Sequence, residues 1–204
     1  MPRIKMVILA STSGYRAQLL ARLKIPFSIV APETDEAVIP GEHCRDTALR
    51  LAVNKARDGA LKVSQPTATT VVDGVVIGSD QVADLDGQPL GKPGTRAMAR
   101  EQLLAMRGKT IIFHTALALF DMASGRIHVQ VVPTNVTMRS YTESQIDYYL
   151  DHEDALDCAG SAKSEGLGAA LIANMTSDDP TALVGLPLIA LTTMLATEGI
   201  EVLS

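Results

Sequence analysis

The residues able to do chemistry gather at the ends of apolar runs. Directly after Met6-Val-Ile-Leu-Ala10 comes Ser11-Thr12-Ser13-Gly14-Tyr15-Arg16. A hydroxyl-rich turn from strand to helix brings unpaired backbone N–H groups to the positive end of a helix dipole, which makes an anion site. Simple capping by Ser13 is the plainer alternative. With Ser13 as cap, however, the third helical position favours Glu or Gln, and Arg16 occupies it. A cation there costs about a few tenths of a kcal/mol against the dipole unless an anion joins it. Phosphate is the anion this pattern suits.

A second cluster, Gly78-Ser79-Asp80-Gln81, ends the apolar run Val75-Val-Ile77. Open α/β sheets bind ligands at the carboxyl ends of their strands. A carboxylate there can hold a divalent metal or take a proton from water, or it can merely start a turn. Asp86-Gly87 follows as a two-residue hairpin signal, pairing 85 with 88, 84 with 89 and Gln81 with Lys92. That register sets Lys92 beside Asp80. Strict alternation would put the two on opposite faces, and a bulge at Gly78 or Gly91 could bring them to one side. Pro89 confines the second strand to an edge.

Two further candidates depend on what they meet. Glu33-Thr34-Asp35-Glu36 is a solvated charge run by itself and matters only if it reaches Asp80, since Mg²⁺ favours one or two carboxylates plus phosphate oxygens. Lys55 sits at the edge of a helical apolar stripe, where most lysines only lay their stem on apolar surface. The stretch Cys158 to Gly168 is Gly-rich, but Gly166-Leu-Gly168 lacks the third glycine and the strand–helix order of a dinucleotide fingerprint. No Walker A lysine loop, HExxH or GxSxG occurs, and the four histidines (43, 114, 128, 152) are scattered.

The elements that must position these residues follow from hydrophobic periodicity. The pattern predicts a strand over 3–10, a helix over 14–23, a short strand over 27–31 and a helix capped by Asp46, with Ala48, Ala52, Val53, Ala56 and Ala60 on one face. A β-rich segment over 69–77, the 81–92 hairpin, a helix over 95–106 and strands over 109–120 and 127–139 come next. A helix over 142–151, a strand over 168–174 and a helix over 187–198 complete the chain, with Pro187 suited to the first helical position. Hairpins and crossovers together indicate an α/β fold with a mixed sheet.

Composition narrows the function. The 204 residues are 47% hydrophobic and 20% charged, a globular composition of one large domain or two lobes. A net charge of −5, with no Trp and few Tyr or Phe, argues against nucleic acid or an anionic membrane as partner. Any phosphate must therefore be held by a local set of cations. Cys44 and Cys158 read as two reduced thiols. The apolar run after Lys5 is too short for a signal peptide, and no run is long enough to span a bilayer, so a cytoplasmic location is expected.

Taken in order, the motifs Ile8-Leu-Ala-Ser-Thr-Ser13…Arg16, Asp35-Glu36, Leu51-Ala-x-x-Lys55-Ala56, Ile77-Gly-Ser-Asp-Gln81, Gly91-Lys-Pro93, Ala159-Gly-Ser161…Glu165-Gly166 and Val184-Gly-Leu-Pro-Leu188 resemble the Maf family of nucleoside triphosphate pyrophosphatases over about residues 4–198. The resemblance implies a single Maf-like domain over 1–204: a long mixed β-sheet flanked by helices, in two lobes around a central cleft, of the Maf/ITPase-like kind. It also implies release of pyrophosphate and a nucleoside monophosphate with a divalent metal, Mg²⁺ or Mn²⁺. Ser11 and Arg16 would hold phosphate, Lys55 and Lys92 would neutralise the polyphosphate, and Asp80 would accept a proton. Asp35, with Asp80, would face the metal.

The family's first motif usually reads Ser-x-Ser-Pro-Arg-Arg; here Gly14 replaces Pro and Tyr15 the first Arg. Tyr15, Gln81 and Glu165 fall on positions that differ between branches. An aromatic, Gln and Glu resemble the branch acting on 7-methyl-GTP, with Tyr where that branch usually has Trp. A basic residue, Thr and Gln mark the branch acting on dTTP and UTP. The implied activity is hydrolysis of 7-methyl-GTP to 7-methyl-GMP, clearing a modified nucleotide. The alternatives are a pyrophosphatase for pyrimidine nucleotides and a non-catalytic nucleotide sensor regulating division. The implied partner is the nucleotide, with homodimerisation left open.

Overall fold

The structure, a computed structural model, describes residues 5–37, 39–64 and 73–203. Seven strands form one mixed sheet: β1 (Met6–Ala10), β2 (Ser28–Val30), β3 (Gly74–Leu85), β4 (Gln88–Leu90), β5 (Thr110–Asp121), β6 (Ile127–Met138) and β7 (Ile172–Ser177). Among the described residues five helices accompany them: α1 (Gly14–Ala21), α2 (Cys44–Val63), α3 (Arg96–Met106), α4 (Glu143–His152) and α5 (Leu188–Thr197). The strand order is β2-β1-β3-β5-β6-β7, with β4 paired to β3. β1 runs parallel to both β2 and β3, whereas the β3–β4 and β6–β7 pairs are antiparallel. The expected α/β class with a mixed sheet is what forms.

The chain divides into two units. The first comprises Met1–Gln81, Thr115–Val132 and Asp179–Ser204, and the second Val82–His114 and Pro133–Asp178. In the first unit the alternation of β1 explains the layering. Val7 and Leu9 join Leu19 and Leu20 of α1 and Leu191 and Leu195 of α5 in one core. Ile8 and Ala10 join Ala60 of α2 and Val76 of β3 in another. Both faces of the strand are covered, so its sequence reads as an unbroken apolar run. Each fully buried Leu contributes about 1.5–3 kcal/mol.

Close packing of α2 on the sheet depends on absent side chains. A Cβ on Gly78 would lie 2.6 Å from the Ala56 backbone nitrogen, and one on Gly59 would lie 2.7 Å from Ala10 Cβ. Helix α2 begins at Cys44, two residues before the expected cap Asp46, and its cap residue His43 makes no side-chain cap bond. The reason is Glu42: it accepts a hydrogen bond from Thr47 Oγ1 at 2.7 Å and a two-pronged bond from Arg50, extending the first turn backwards. Those bonds hold the Glu42 carboxyl down at about 2. Asp46 then lies in the first turn, where its charge suits the dipole.

In the second unit the hairpin has the expected register, Leu85 opposite Gln88, Asp84 opposite Pro89 and Ala83 opposite Leu90. β4 ends at Leu90, so the pairing does not run on to Gln81 opposite Lys92. Thr95 and Thr142 cap α3 and α4, the latter in a full capping box with Gln145. The strand expected over 168–174 starts four residues later. Residues Leu167–Leu171 form a 3₁₀ turn instead, because Glu153 accepts the Leu167 N–H at 2.8 Å and Gly168 packs onto the Lys163 backbone. A second short 3₁₀ turn spans Ala159–Ser161.

Pro187 precedes α5 as its cap rather than as its first residue. The free N–H groups of Ile189 and Ala190 are taken by Asp179 Oδ2, at 2.7 and 3.4 Å, from ten residues upstream. The β-rich segment expected from residue 69 is observed from Gly74, and residues 69–72 lie outside the described residues. The same holds for residues 3 and 4 of the first strand.

Candidate active site

The site is built where β1 ends beside the middle of β3, Ala10 opposite Gly78 in parallel register. β3 runs on to Leu85, so Asp80 lies within the strand rather than at the carboxyl end expected for it. Ser11 follows β1 and is buried. Its N–H donates to Val30 O at 3.0 Å and its Oγ accepts the Ser13 N–H at 3.1 Å. Ser13 in turn accepts the Arg16 N–H at 3.4 Å, so it is the expected cap of α1. Arg16 folds back, and its Nε donates to the carbonyl of Gly185 at 2.9 Å. Loss of solvent lowers the pKa of this guanidinium, against the opposing pull of the Asp80 and Glu36 carboxylates.

Asp80 projects from β3 and is buried. Lys55 Nζ, also buried, donates to Asp80 Oδ1 at 2.6 Å. The same ammonium lies 2.6 Å from Glu36 Oε1. Burial raises the pKa of Asp80, while Lys55 and Arg16 pull it back. A carboxylate so placed is more basic than usual and stays close to two cations, which suits a proton acceptor next to phosphate.

Glu36, rather than Asp35, is the acid that reaches Lys55. Asp35 is exposed and accepts the Ala37 N–H at 2.9 Å, closing its own turn. Arg50, on α2, donates to Ala37 O at 3.2 Å, and Lys62 to Ala31 O at 2.8 Å. These bonds strap the acidic loop along α2, from Arg50 in its first half to Lys62 near its end. The sequence signal was present, since Glu36 lies in the same acidic run, but nothing local separates neighbouring acids of one loop.

Gln81 faces inward. Its Nε2 donates to Thr115 Oγ1 at 2.8 Å, Leu183 O at 3.0 Å and Ala182 O at 3.1 Å. Ser79 and Thr115, both fully buried, also bond this stretch: Ser79 Oγ to Gly185 O at 2.9 Å and Thr115 Oγ1 to Ala182 O at 2.9 Å. Thr115 carries a findable signal, a hydroxyl inside the apolar run Ile111 to Phe120, where burial demands a partner. Tyr15 is exposed on the first turn of α1.

Ser11, Arg16, Lys55, Asp80 and Gln81 thus come together in the first unit. Lys92 and Glu165 belong to the second unit. Lys92 is exposed after β4, and Glu165 is exposed in the turn before Leu167, accepting the Ser164 hydroxyl at 3.0 Å. That turn is held by Glu153, which pairs with Lys163 at 3.1 Å besides binding Leu167. Among the described residues no group of three or more His, Cys, Asp or Glu side chains gathers at a metal-binding distance, and no helix is long and apolar enough to cross a membrane.

The chain is similar to known proteins over nearly its whole length. Residues 6–198, running through both units, match the family described as Maf-like protein. The 7-methyl-GTP pyrophosphatase of Thiobacillus denitrificans is 52% identical over 198 residues, covering 97% of this chain and 94% of the relative. That of Burkholderia thailandensis is 53% identical over 199 residues, covering 98% and 89%. That of Chromobacterium violaceum is 52% identical over 198 residues, covering 97% and 98%. With a family match over nearly its whole length and relatives above half identity, this chain belongs to the Maf family.

Proposed function

We propose that this protein hydrolyses 7-methyl-GTP to 7-methyl-GMP and pyrophosphate in the cytoplasm, acting as one domain over residues 1–204. The observation that carries the reading is the Lys55 ammonium held between Asp80 and Glu36 beside Arg16, where the carboxyl end of β1 meets the middle of β3. Water attacks the α-phosphorus, the bond from that phosphorus to the bridging oxygen breaks, and pyrophosphate leaves. The proton lost by the water passes to Asp80. Arg16 and Ser11 hold phosphate oxygens, and Lys55, keeping its bond to Asp80, shifts its charge from Glu36 toward the arriving anion.

A divalent cation fits the donor set. Asp80 and Glu36 offer two hard carboxylate oxygens that already converge on one positive charge, and Mg²⁺ and Mn²⁺ favour such a pair completed by water and phosphate oxygens. When bound, the cation would neutralise the polyphosphate and polarise the attacked phosphorus. Asp35 closes its own turn, so Glu36 is the loop acid we assign to this role. Lys92 as a second cation and Glu165, with Tyr15, as readers of the base rest on the resemblance.

Pyrophosphate release from 7-methyl-GTP, GTP, UTP and dTTP, with Mg²⁺ or Mn²⁺, tests the reading. Preference for 7-methyl-GTP supports it. Faster turnover of UTP or dTTP moves the protein to the pyrimidine branch, and tight binding without turnover makes it a sensor.

A further inference from the structure

Gln81 falls on a position that varies between substrate branches, which invites the view that it touches the base. Its surroundings indicate another task. Thr115 Oγ1 has one proton, and that proton goes to Ala182 O, so the hydroxyl can only accept from Gln81. Ala182 O and Leu183 O are carbonyls and can only accept. All three neighbours therefore require the nitrogen end of the carboxamide, and the side chain has no freedom to flip.

What these bonds hold is the turn over 182–185. Gly185 N–H closes it by donating to Ala182 O at 2.9 Å, and Gly185 takes φ +115°, a backbone conformation that L side chains rarely adopt. The Gly185 carbonyl then receives Arg16 Nε at 2.9 Å and shares with Ala116 O the single proton of the buried Ser79 hydroxyl, which lies 2.9 Å from the first and 2.8 Å from the second. With Nε committed, the orientation of the whole planar guanidinium is set, and its terminal nitrogens are left for an anion.

We propose that Gln81 and Thr115 are positioning residues that lock the 182–185 turn, so that the Gly185 carbonyl aims Arg16 at phosphate. This rests on the proposed function only in giving Arg16 a phosphate to hold. Gln81 accordingly contributes to affinity for the polyphosphate end of the substrate.

The test uses the full-length protein with inorganic pyrophosphate and Mg²⁺ as the ligand. Gln81→Met and Thr115→Val keep shape but remove the hydrogen bonds, and each should weaken pyrophosphate binding by about tenfold, the scale of one charged hydrogen bond. Thr115→Ser retains the hydroxyl and should restore wild-type affinity. The second readout is the Arg16 Nε–H proton signal, assigned by its disappearance in Arg16→Lys. In the wild type it should be protected from exchange, and in Gln81→Met and Thr115→Val that protection should be lost while thermal melting stays cooperative.

Unchanged pyrophosphate affinity and an unchanged Arg16 signal in both variants would overturn the proposal. So would equal losses in Thr115→Ser and Thr115→Val. Should Arg16→Lys bind pyrophosphate as tightly as the wild type, the phosphate role of Arg16 fails instead. The Nε–H signal still decides whether Gln81 and Thr115 position that side chain.

Discussion

Lys55 Nζ stands 2.6 Å from Asp80 Oδ1 and 2.6 Å from Glu36 Oε1, with Lys55 and Asp80 both buried and Glu36 largely exposed. One partner is thus fixed by burial, and the other sits on a loop. An ammonium between two such acids can be drawn toward an incoming polyphosphate without leaving Asp80. Replacing Lys55 by Met strands a buried carboxylate, which is strongly destabilising. We expect a loss of about 3 kcal/mol of stability in urea unfolding and about a hundredfold fall in kcat. Wild-type kcat in a folded Lys55→Met protein removes Lys55 from the site.

The two neighbouring acids of the loop should separate cleanly. Glu36→Gln removes the charge facing Lys55 and should lower kcat by about tenfold or more, with a higher Mg²⁺ concentration needed for half-maximal rate. Asp35→Asn keeps an acceptor for the Ala37 N–H and should leave kcat within about twofold. Asp80→Asn, keeping shape without the proton acceptor, should abolish most turnover while nucleotide still binds. A reversed order for Glu36 and Asp35 assigns the metal role to Asp35.

Selectivity for the base should reside in Tyr15 and Glu165. Methylation at N7 makes guanine cationic, and an aromatic face attracts such a cation by about 0.5–2 kcal/mol. A carboxylate can accept from N1–H and the 2-amino group and also favours the positive ring. Tyr15→Ala and Glu165→Gln should each reduce kcat/KM for 7-methyl-GTP by about 2–30-fold more than for UTP. Tyr15→Trp should keep or strengthen the preference. Equal losses on 7-methyl-GTP, GTP and UTP show that these residues do not read the base.

Gly78 links packing to chemistry, because it lies two residues before Asp80 on β3 and faces the helix that carries Lys55. A methyl group there would press on the Ala56 backbone nitrogen, 2.6 Å away, and backbone cannot yield as a side chain does. Gly78→Ala should cost about 3 kcal/mol and should lower kcat in the fraction that remains folded. A melting temperature equal to the wild type would show that α2 can move away freely.

Acid should weaken the protein through Glu198 as well. Burial tends to raise its pKa, but hydrogen bonds from Lys5 at 2.8 Å and His128 at 2.7 Å outweigh it and lower the value from 4.5. Asp121, beside Lys5 at 3.5 Å, is likewise lowered from 3.8: burial raises it, and Ser124, the Ala123 N–H and Lys5 overcome that. For a carboxylate lowered on folding, the stabilisation is present above its unfolded value and disappears as pH falls through the folded one. Stability should therefore decline as pH drops from about 4.5 downward. Glu198→Gln should be less stable at pH 6 by about 1.5–3 kcal/mol and should show a shallower acid slope in urea unfolding between pH 6 and 3. A slope as steep as the wild type's removes Glu198 from this role.

Much of this protein is written in short stretches of sequence. Ser13, Thr95 and Thr142 cap helices whose first turns they adjoin, and Asp86-Gly87 sets the hairpin register within a few residues. The unbroken apolar run of β1 announces a strand covered on both faces. These are local because their partners lie two to four residues away, so composition and spacing contain the whole interaction. The ordered motifs also carry the resemblance to the Maf family, which names Lys55, Asp80 and Lys92 separately; that Lys55 rather than Lys92 contacts Asp80 is a feature of the tertiary structure.

Other features depend on partners far along the chain. Glu36 instead of Asp35 reaches Lys55 because Arg50, Lys62 and Lys55 fix the loop's path along α2. β7 starts at Ile172 because the carboxylate of Glu153, just after α4, captures the Leu167 N–H. Gln81 is oriented by carbonyls about a hundred residues later, and Asp179 caps α5 from outside it. A buried polar group takes whichever partner the fold delivers, since leaving it unpaired costs about 1–3 kcal/mol. Only the tertiary structure determines which carbonyl or carboxylate arrives.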